Sequence, residues 1–358
     1  MPSANRIIVS AAGGGKTTNL VHDAIGEPGS RCALITYTVN NQTEIHRHFY
    51  KSAPALPSHV EVLGWFTFLL RELARPYRAF LHSQRIEGIS WQEGRSVPYE
   101  PQSNTGRHYF RDGRQIYSDK IAKFVCECDR ISSGLVMRRL AQRFDHILVD
   151  EVQDLAGYDL EIMELILRAG IRVTLVGDHR QAILRTNDAK KNSAFRGINI
   201  VKKFREWDKQ GLATLSYQQY THRCHQHIAN LGDSLFPCEP KTKSLSETVT
   251  GHDGIFVVPA AFVRSYVEMF APTVLRYDKK TVCHEFPAMN FGESKGLTFD
   301  RVLIFPHIAA TKWLSTGRLV HVEKSVAKMY VGITRARHSV AFVFDGPVSI
   351  PHAQAYAS

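Results

Sequence analysis

The stretch that most constrains the fold is a short apolar run, IIV at residues 7–9, which leads directly into SAAGGGKTT at residues 10–18. A strand, a glycine-rich turn and a helix in this order are typical of a phosphate-binding loop, because backbone N–H groups at a helix start can surround a phosphate. The strict motif has glycine at its first position, where this chain has Ser10. The stretch therefore predicts either a nucleotide site or a glycine-rich turn that resembles one.

The residue types in the loop indicate how a nucleotide would be held. Backbone N–H groups of residues 13–16 would surround the phosphates, and the Lys16 ammonium would contact the β- and γ-phosphates. The Thr17 hydroxyl would ligate Mg²⁺. We predict a helix from Thr17 to Ile25, because apolar residues recur on one face. The alternative is a tight strand-to-helix turn in which GKT is incidental.

Two further polar segments follow apolar strands. HILVDEVQDL at residues 146–155 ends a strand at Asp150 and Glu151, so one carboxylate would hold magnesium through water and the other would deprotonate the attacking water. TLVGDHRQAI at residues 174–183 places Gln181 where its amide would bond a γ-phosphate or that water. Taken alone, the acidic pair is also typical of a solvated helix start. The segment that contains Gln181 is, taken alone, also typical of a plain turn. Because the two segments and the glycine-rich loop are all expected at strand ends of the same sheet, together they predict one site.

A fourth segment, KMYVGITRARHSVAFVF at residues 328–344, contains an Arg-x-Arg sequence before a strongly apolar strand. An arginine presented from a second domain would neutralise charge on a transferred γ-phosphoryl group, an effect of roughly 10³ to 10⁵ in rate. The alternative is a pair of surface arginines.

Apolar, β-branched runs alternate with helix-like patterns along the whole chain, which predicts parallel α/β sheets with their chemistry at the carboxyl ends of the strands. The runs are residues 7–9, 33–37, 147–149 and 173–176, followed by 213–217, 254–258, 302–305 and 339–344. We predict an N-terminal domain over residues 1–208, with a small helical and loop insertion around residues 66–143, and a C-terminal domain over residues 209–358. The two would be joined near residues 202–211, and residues 83–107 and 238–254 would be surface loops.

Charge and cysteine content narrow the functional classes. Lysine and arginine number 45 against 34 acidic residues, and the net charge of +11 suits a polyanionic partner, either a nucleic acid or a membrane surface. No apolar run approaches the ~18 residues of a membrane span, and the first residues leave no room for a signal peptide. We therefore expect a cytoplasmic protein with no membrane partner. The His222–His227 segment would place metal ligands on adjacent turns of one helix, unlike a structural zinc site.

Eight segments, in order, resemble the successive motifs of the UvrD/Rep-like branch of superfamily 1 helicases, over roughly residues 7–345. They are SAAGGGKTT, LITYTVNNQ, LGWFTFLLREL, ILVDEVQDL, LVGDHRQAI, QQYTHRCHQHI, GESKGLTFDRVLIF and KMYVGITRAR. The resemblance implies an α/β fold of two RecA-like P-loop domains with parallel sheets, ATP in the cleft between them and single-stranded DNA across their top. In this family a small residue is usual at the first position of the loop, as Ser10 is here.

The resemblance also implies roles for individual residues. Asp150 would be the magnesium-associated aspartate, Glu151 the catalytic base, Gln181 the γ-phosphate sensor, Arg335 the arginine finger and Arg223 a second γ-phosphate arginine. These five residues and Lys16 form the implied catalytic set. Thr17 and Asp150 would hold Mg²⁺. The implied ATP-binding residues are Ala12, Gly13, Gly14, Gly15, Lys16, Thr17, Thr18 and His222. The implied nucleic-acid contacts are Tyr37, Asn40, Trp65, Phe66, Thr67, Phe195 and Lys295.

Several positions depart from the family pattern. His222 stands where a tyrosine normally stacks on adenine, Thr298 stands where glutamate is usual, and only a few residues precede the first strand, where an adenine-binding motif normally lies. For Tyr37 and Trp65, burial under a strand edge is the alternative to stacking on DNA bases.

We predict an ATP-dependent translocase or helicase on single-stranded DNA, moving 3′ to 5′. Only about seventy residues separate Arg223 from Lys295, too few for the large accessory domain of relatives. The alternative is therefore a DNA- and nucleotide-dependent ATPase switch that regulates a partner nuclease. That alternative is similar to the helicase-like subunits of anti-phage modules such as Gabija. A P-loop kinase or GTPase would not explain the two distant arginine motifs.

Overall fold

The computed structural model describes residues 4–356, and the chain divides into two compact units. The first unit consists of the residues up to Val9, Lys16–His179 and Leu184–Ser216. The second consists of Ser10–Gly15, Arg180–Ile183 and the residues from Tyr217 onward. The glycine-rich loop and the segment that contains Gln181 thus belong to the second unit, although both lie in the N-terminal half of the sequence.

The first unit is built on a six-stranded sheet with the order β3-β2-β6-β7-β1-β8, beside a separate pair of strands, β4 and β5. The strands are β1 (Arg6–Ser10), β2 (Cys32–Thr36), β3 (Val60–Gly64), β4 (Gly88–Ser90), β5 (Gln115–Tyr117), β6 (His146–Val149), β7 (Arg172–Gly177) and β8 (Thr214–Gln218). Strands β3, β2, β6, β7 and β1 pair in parallel. Their carboxyl ends therefore meet at one edge, where ligands of open α/β sheets bind.

Nine α-helical segments accompany these strands. They are α1 (Lys16–Ile25), α2 (Val39–Ser52), α3 (Trp65–Phe68), α4 (Arg75–Tyr77), α5 (Thr105–Tyr109), α6 (Ile121–Ile131), α7 (Leu135–Arg143), α8 (Tyr158–Arg168) and α9 (Ile200–Lys209). Helix α3 continues into α4 through a π-helical turn, Leu69–Ala74. Apolar side chains of α1 and α2, such as Leu20 and Phe49, form a buried core with Leu34 of the sheet. This core holds the helix that follows the glycine-rich loop against β2.

The second unit contains another six-stranded sheet, with the order β13-β12-β14-β15-β11-β16, and a short pair, β9 and β10. The strands are β9 (Tyr220–Thr221), β10 (Lys243–Ser244), β11 (Gly254–Val258), β12 (Thr273–Arg276), β13 (Ala288–Asn290), β14 (Phe299–Phe305), β15 (Ala336–Val343) and β16 (Ala353–Ala355). The helices are α10 (Gln226–Ser234), α11 (Val263–Phe270), α12 (Ile308–Thr316) and α13 (Val326–Ile333). Every neighbouring pair of strands in this sheet is parallel.

The two large sheets have the same connectivity. Counted along the chain within each sheet, both have the order third, second, fourth, fifth, first and sixth strand. The predicted fold class, two α/β domains with parallel sheets, is confirmed.

Some local predictions were wrong. Residues 213–217, assigned to the second domain, form β8 at the edge of the first sheet, beside β1. The predicted joint at residues 202–211 is mostly helix α9, whereas the two units divide after Ser216. The predicted loop at residues 83–107 contains β4 and the start of α5. No helix within residues 4–356 combines the length and apolar character that a membrane crossing requires.

Candidate functional site

The glycine-rich loop has the backbone of an anion-binding turn. Gly13 and Gly15 have φ values of 76° and 77°, which glycine adopts freely and other residues adopt at a cost of ~1–2 kcal/mol. Among the described residues, the N–H groups of Gly13 and Gly15 donate to no protein acceptor. Left-handed residues in such a turn direct N–H groups into a concave nest that suits phosphate. Ser10 has no positive φ, so the turn does not require the glycine of the strict motif.

The carbonyl groups of the loop are held by residues 218–223. The Thr221 hydroxyl donates to the carbonyl of Ala12 at 2.7 Å, the His222 N–H to that of Gly13 at 2.9 Å, and the Gln218 amide to that of Gly14 at 3.0 Å. These bonds occupy the carbonyl side of the loop and leave the N–H groups of Gly13 and Gly15 for a ligand. The exposed ring of His222 packs edge-on against Tyr220, with 5.4 Å between centroids. The His222 ring thus lies beside the loop.

Thr17 and Asp150, the two predicted magnesium ligands, are in contact. The Thr17 hydroxyl donates to Asp150 Oδ2 at 2.7 Å, and Asp150 is 3% exposed. Burial raises the pKa of Asp150 and the neighbouring Glu151 carboxylate raises it further, while the Thr17 hydrogen bond and the Lys16 charge oppose both effects. A hydroxyl and a buried carboxylate are oxygen ligands of the kind that Mg²⁺ prefers, and a cation would offset the charge of the two acids. The residues present therefore fit a magnesium ion.

Glu151 is positioned by its own backbone and by Gln153. Its φ is 56°, and its N–H donates to Asp150 Oδ1 at 2.9 Å. The Gln153 side-chain amide donates through Nε2 to the Glu151 carboxylate, and its Oε1 accepts from the backbone N–H of Asp178 at 3.1 Å. Gln153 therefore links the carboxyl end of β6 to that of β7. Sequence reasoning quoted this residue within VDEVQD but gave it no role.

Gln181, Arg223 and Arg335 converge within the second unit. The Arg335 guanidinium is 1% exposed and donates to Gln181 Oε1 at 2.8 Å, although the two residues are 154 positions apart. It also donates to the carbonyls of Val331 at 3.0 Å and Leu297 at 3.2 Å. Arg223 donates to the carbonyl of Thr334, next to Arg335, at 3.1 Å. All three predicted γ-phosphate contacts thus lie in one cluster.

Arg180 and Asp233 hold the segment that carries Gln181. Their side chains are 6% and 2% exposed and form an ion pair at 3.1 Å. Asp233 also accepts hydrogen bonds from the N–H of Thr242 at 2.6 Å and from its hydroxyl at 2.9 Å. The Arg180 guanidinium lies 4.7 Å from the ring centroid of Tyr330. Neither Arg180 nor Asp233 was identified from the sequence, because nothing in its spacing connects residues so far apart.

Three aromatic residues of the first unit form a row, which we call the aromatic row: Tyr37, Phe66 and Trp91. The ring centroids of Tyr37 and Phe66 are 6.0 Å apart, and those of Phe66 and Trp91 are 4.9 Å apart with an edge-on geometry. Trp91 is 66% exposed. Sequence reasoning missed Trp91 because it lies in a segment predicted to be a loop, where an exposed aromatic residue has no periodic pattern.

Trp65, predicted to contact nucleic acid, is only 1% exposed. It is the first residue of α3, and its ring packs 5.9 Å from Phe68 on the same face of that helix. The helix begins directly after β3, so its first side chain turns into the core while Phe66 remains partly exposed and Thr67 exposed. The prediction that Trp65 stacks on bases is therefore wrong.

The remaining predicted residues have varied surroundings. Asn40 is exposed at the start of α2, and Lys295 lies partly buried in a turn of the second unit. The Thr18 hydroxyl lies 3.3 Å from Nδ1 of His48. Phe195 is partly buried, with the Lys203 ammonium 5.5 Å from its ring centroid. No contact in the described chain brings Phe195 to the aromatic row.

Within residues 4–356, the group of potential metal ligands that lies close enough to share an ion is Glu27, Cys32 and His146. Glu27 forms an ion pair with Arg172 and the other two residues are fully buried. This group is therefore satisfied without a metal.

Comparison with known proteins gives a family match and several similar structures. Residues 111–226 match the family model described as the UvrD/REP helicase N-terminal domain, which confirms the predicted resemblance. No curated protein matches the chain.

Three of the similar solved structures are viral helicases. Arterivirus nonstructural protein 10 (helicase) is 13% identical, with 95% of this chain and 59% of that chain covered and a TM-score of 0.49. The PRRSV helicase is 15% identical, with coverage of 96% and 55% and a TM-score of 0.45. The complex of arterivirus nonstructural protein 10 (helicase) with DNA gives 12% identity, coverage of 98% and 61% and a TM-score of 0.47. The chain thus spans less than two thirds of the length of each of these helicases.

Proposed function

Since the chain carries a UvrD-like superfamily 1 helicase domain, we propose that it is an ATP-dependent translocase or helicase on single-stranded DNA. The observation that carries this proposal is the 2.8 Å hydrogen bond between Arg335 and Gln181. Both residues were assigned to the γ-phosphate from separate motifs, and a structural role alone would not require that pair of residues to meet. We propose ATP as the nucleotide that the protein binds and Mg²⁺ as the metal ion that accompanies it.

The contacts at the loop suggest how ATP would be held and cleaved. The N–H groups of Gly13 and Gly15 and the Lys16 ammonium would bind phosphate oxygens, and Thr17 and Asp150 would hold Mg²⁺. The metal would supply charge neutralisation between the β- and γ-phosphates. Glu151, fixed by Gln153, would orient the attacking water and accept its proton. The Arg335 and Arg223 guanidinium groups would stabilise the charge that develops on the γ-phosphoryl group.

The Arg335 contacts also suggest how hydrolysis would be coupled to movement. A γ-phosphate would accept hydrogen bonds from the same guanidinium that now donates to Gln181, so the presence of the phosphate would change the bonding of the Arg180–Ile183 segment. Arg180 and Asp233 tie that segment to α10. A change at the γ-phosphate would therefore reach helix α10.

The aromatic row supports single-stranded DNA as the track. Stacking of a base on an aromatic ring contributes ~1–3 kcal/mol and tolerates any sequence, as a translocase requires. The net charge of +11 would add contacts to backbone phosphates and make binding depend strongly on salt. The VDEVQD and YVGITRAR signatures resemble the branch that moves 3′ to 5′, so we propose that polarity.

Strand displacement tests the proposal. We expect the wild type with ATP and Mg²⁺ to displace the complementary strand from a duplex with a 3′ single-stranded tail, and not from one with a 5′ tail. Glu151→Gln is the matched control, because it keeps the side-chain volume and should bind ATP without hydrolysing it. Displacement on the 5′-tailed duplex alone would overturn the polarity, and displacement by Glu151→Gln would overturn the role of Glu151.

The short connection between Arg223 and Lys295 favours a second candidate function, a DNA- and nucleotide-dependent ATPase switch. In the described chain this stretch holds α10, α11 and four short strands, and no additional domain. The protein would then use DNA and ATP to regulate a partner nuclease, for instance in phage defence. ATP hydrolysis that DNA stimulates without any strand displacement would favour the switch, whereas displacement by the isolated protein would favour the motor.

A further inference from the structure

A basic cavity of about 200 Å³ lies in the first unit, and none of its lining residues belongs to the glycine-rich loop. This volume is several times the ~30 Å³ that one water molecule takes up in the liquid, so it admits a phosphate group. We call it the basic pocket, and its charged or titratable lining consists of Arg95, His108, Asp119, Lys120, Lys123, Lys190 and Lys191. Five permanent cations therefore face one carboxylate.

Two lysines of the basic pocket have no acidic partner. Lys120 is 9% exposed and Lys123 is partly buried, yet neither forms an ion pair within the described chain. Lys120 Nζ donates to the carbonyl of Val97 at 3.4 Å, and Lys123 Nζ lies 3.1 Å from Nε2 of His108. Burying a charge without a partner is costly, so an anion in this cavity would be strongly favoured.

The electrostatic effects on these lysines agree with that geometry. Burial lowers the pKa of Lys120, and the charges of Lys123 and Arg95 lower it further against the opposing effect of Asp119. Burial also lowers the pKa of Lys123. The cations of the pocket thus repel one another, and a bound anion would relieve this repulsion.

The acidic groups near the pocket are already occupied. The Asp119 carboxylate accepts hydrogen bonds from the N–H of Ser96 at 3.0 Å and from its hydroxyl at 2.7 Å. Glu161 pairs with Lys191 at 3.4 Å, which leaves Arg95, Lys120, Lys123 and Lys190 as the lining cations with no ion pair in the described chain. Lysine binds phosphate as a point charge, and three such charges around one cavity suit a single phosphate group.

The basic pocket is joined to the aromatic row by two short stretches of chain. The Tyr37 hydroxyl donates to the carbonyl of Arg185 at 3.4 Å, and the Asn187 amide donates to the carbonyl of Asp119 at 3.0 Å. Residues 185–191 therefore run from the row to the pocket. From Trp91 to Arg95 the chain is only four residues long, a reach of at most ~14 Å.

We propose that the basic pocket binds one backbone phosphate of the nucleic acid strand whose bases stack on the aromatic row. The inference rests on the proposed function, because it needs a nucleic acid as the ligand. Contacts to phosphate fix the position of a strand without reading its sequence. The pocket would thereby hold the strand in register on the row and would strengthen the grip on it.

The salt dependence of DNA binding tests this proposal. Fluorescence anisotropy would measure the affinity of the full chain for a labelled oligo-dT at several salt concentrations. The variants are Lys120→Gln/Lys123→Gln in the buried wall and Lys190→Gln/Lys191→Gln at the exposed rim. Loss of one phosphate contact should reduce the slope of log K against log salt by about 0.7 in either double variant. Lys209→Gln, an exposed lysine at the end of α9, is the matched control and should leave the slope unchanged.

A second measurement separates the possible ligands. Inorganic phosphate alone would be added while the thermal unfolding midpoint of the wild type and of each double variant is recorded. Folded double variants with the wild-type slope would overturn the proposal. A phosphate-dependent shift that the double variants lose, combined with an unchanged slope, would show that the pocket takes a free anion, which also overturns it. Failure of the wild type to bind oligo-dT would instead refute the proposed function.

Discussion

Replacing Arg335 with alanine should destabilise the second unit strongly, apart from any effect on hydrolysis. The side chain is 1% exposed, and its acceptors include the Gln181 amide oxygen and the carbonyls of Val331 and Leu297. A buried acceptor left without its donor costs about 1–3 kcal/mol. Because Leu297 is exposed, water can replace the lost donor at its carbonyl, so we take values near the lower end, which sum to about 3–5 kcal/mol. For a unit of this size, that corresponds to a decrease of roughly 6–20 °C in the unfolding midpoint.

Arg337→Ala provides the matched control, because it removes the same side chain two residues away. Arg337 is 53% exposed and pairs at 2.7 Å with Asp300, which is 62% exposed. Exposed ion pairs of this kind contribute at most about 1 kcal/mol. Thermal and urea unfolding, followed by circular dichroism, should show a large loss for Arg335→Ala and a small one for Arg337→Ala. Equal losses below 1 kcal/mol in both variants would refute the structural role of Arg335.

This result would also decide how the catalytic role of Arg335 is tested. If alanine unfolds the second unit, a loss of ATP hydrolysis in Arg335→Ala carries no information about the γ-phosphate. Arg335→Lys keeps the charge and much of the volume while losing the planar fork that bonds several acceptors at once. We expect Arg335→Lys to bind ATP and to hydrolyse it slowly, and a variant with wild-type hydrolysis would argue against an arginine finger.

Three further predictions concern the loop, the aromatic row and a buried carboxylate. Gly13→Ala should lower the thermal unfolding midpoint more than Gly15→Ala. Both glycines have positive φ, but only at Gly13 would the added Cβ clash with neighbouring atoms, among them Thr221 Oγ1 at 2.7 Å. Equal unfolding midpoints for the two variants would contradict this. Trp91→Ala should weaken oligo-dT binding by roughly 1–3 kcal/mol in an anisotropy titration, and unchanged affinity would exclude its ring from the track. Burial raises the pKa of Glu164, but hydrogen bonds from Lys203, Trp207 and Arg168 outweigh this effect and lower it to about 2. The unfolding free energy should therefore fall as the pH decreases from about 4.5 towards 2, and Glu164→Gln should remove this part of the pH dependence.

Local motifs were predictable because neighbouring residues determine them. SAAGGGKTT specifies a strand, a turn with left-handed glycines and a helix within a dozen residues, and the structure has β1, the turn and α1 in that order. Placing a strand in a sheet depends on distant partners instead. Residues 213–217 were recognised as a strand, but only pairing with β1, some two hundred residues away, assigns β8 to the first sheet.

In the candidate site too, residues within motifs were predictable and contacts that depend on packing were not. The sequence indicated Thr17 with Asp150 and Gln181 with Arg335, because each residue lies in a recognisable motif. It did not indicate the Arg180–Asp233 ion pair, whose members become partners only after α10 packs near the Gln181 segment. The burial of Trp65 and the exposure of Trp91 were equally inaccessible from the sequence. The direction in which α3 leaves β3 turns Trp65 into the core, whereas Trp91 is 66% exposed.

The central claim is that ATP hydrolysis at this loop responds to single-stranded DNA. The most direct measurement is the steady-state rate of ATP hydrolysis with and without oligo-dT, for the wild type and for Lys16→Ala. We predict that oligo-dT raises the wild-type rate several-fold and that Lys16→Ala has no measurable rate under either condition. A wild-type rate that is indifferent to nucleic acid, or an equal rate in Lys16→Ala, would contradict the account.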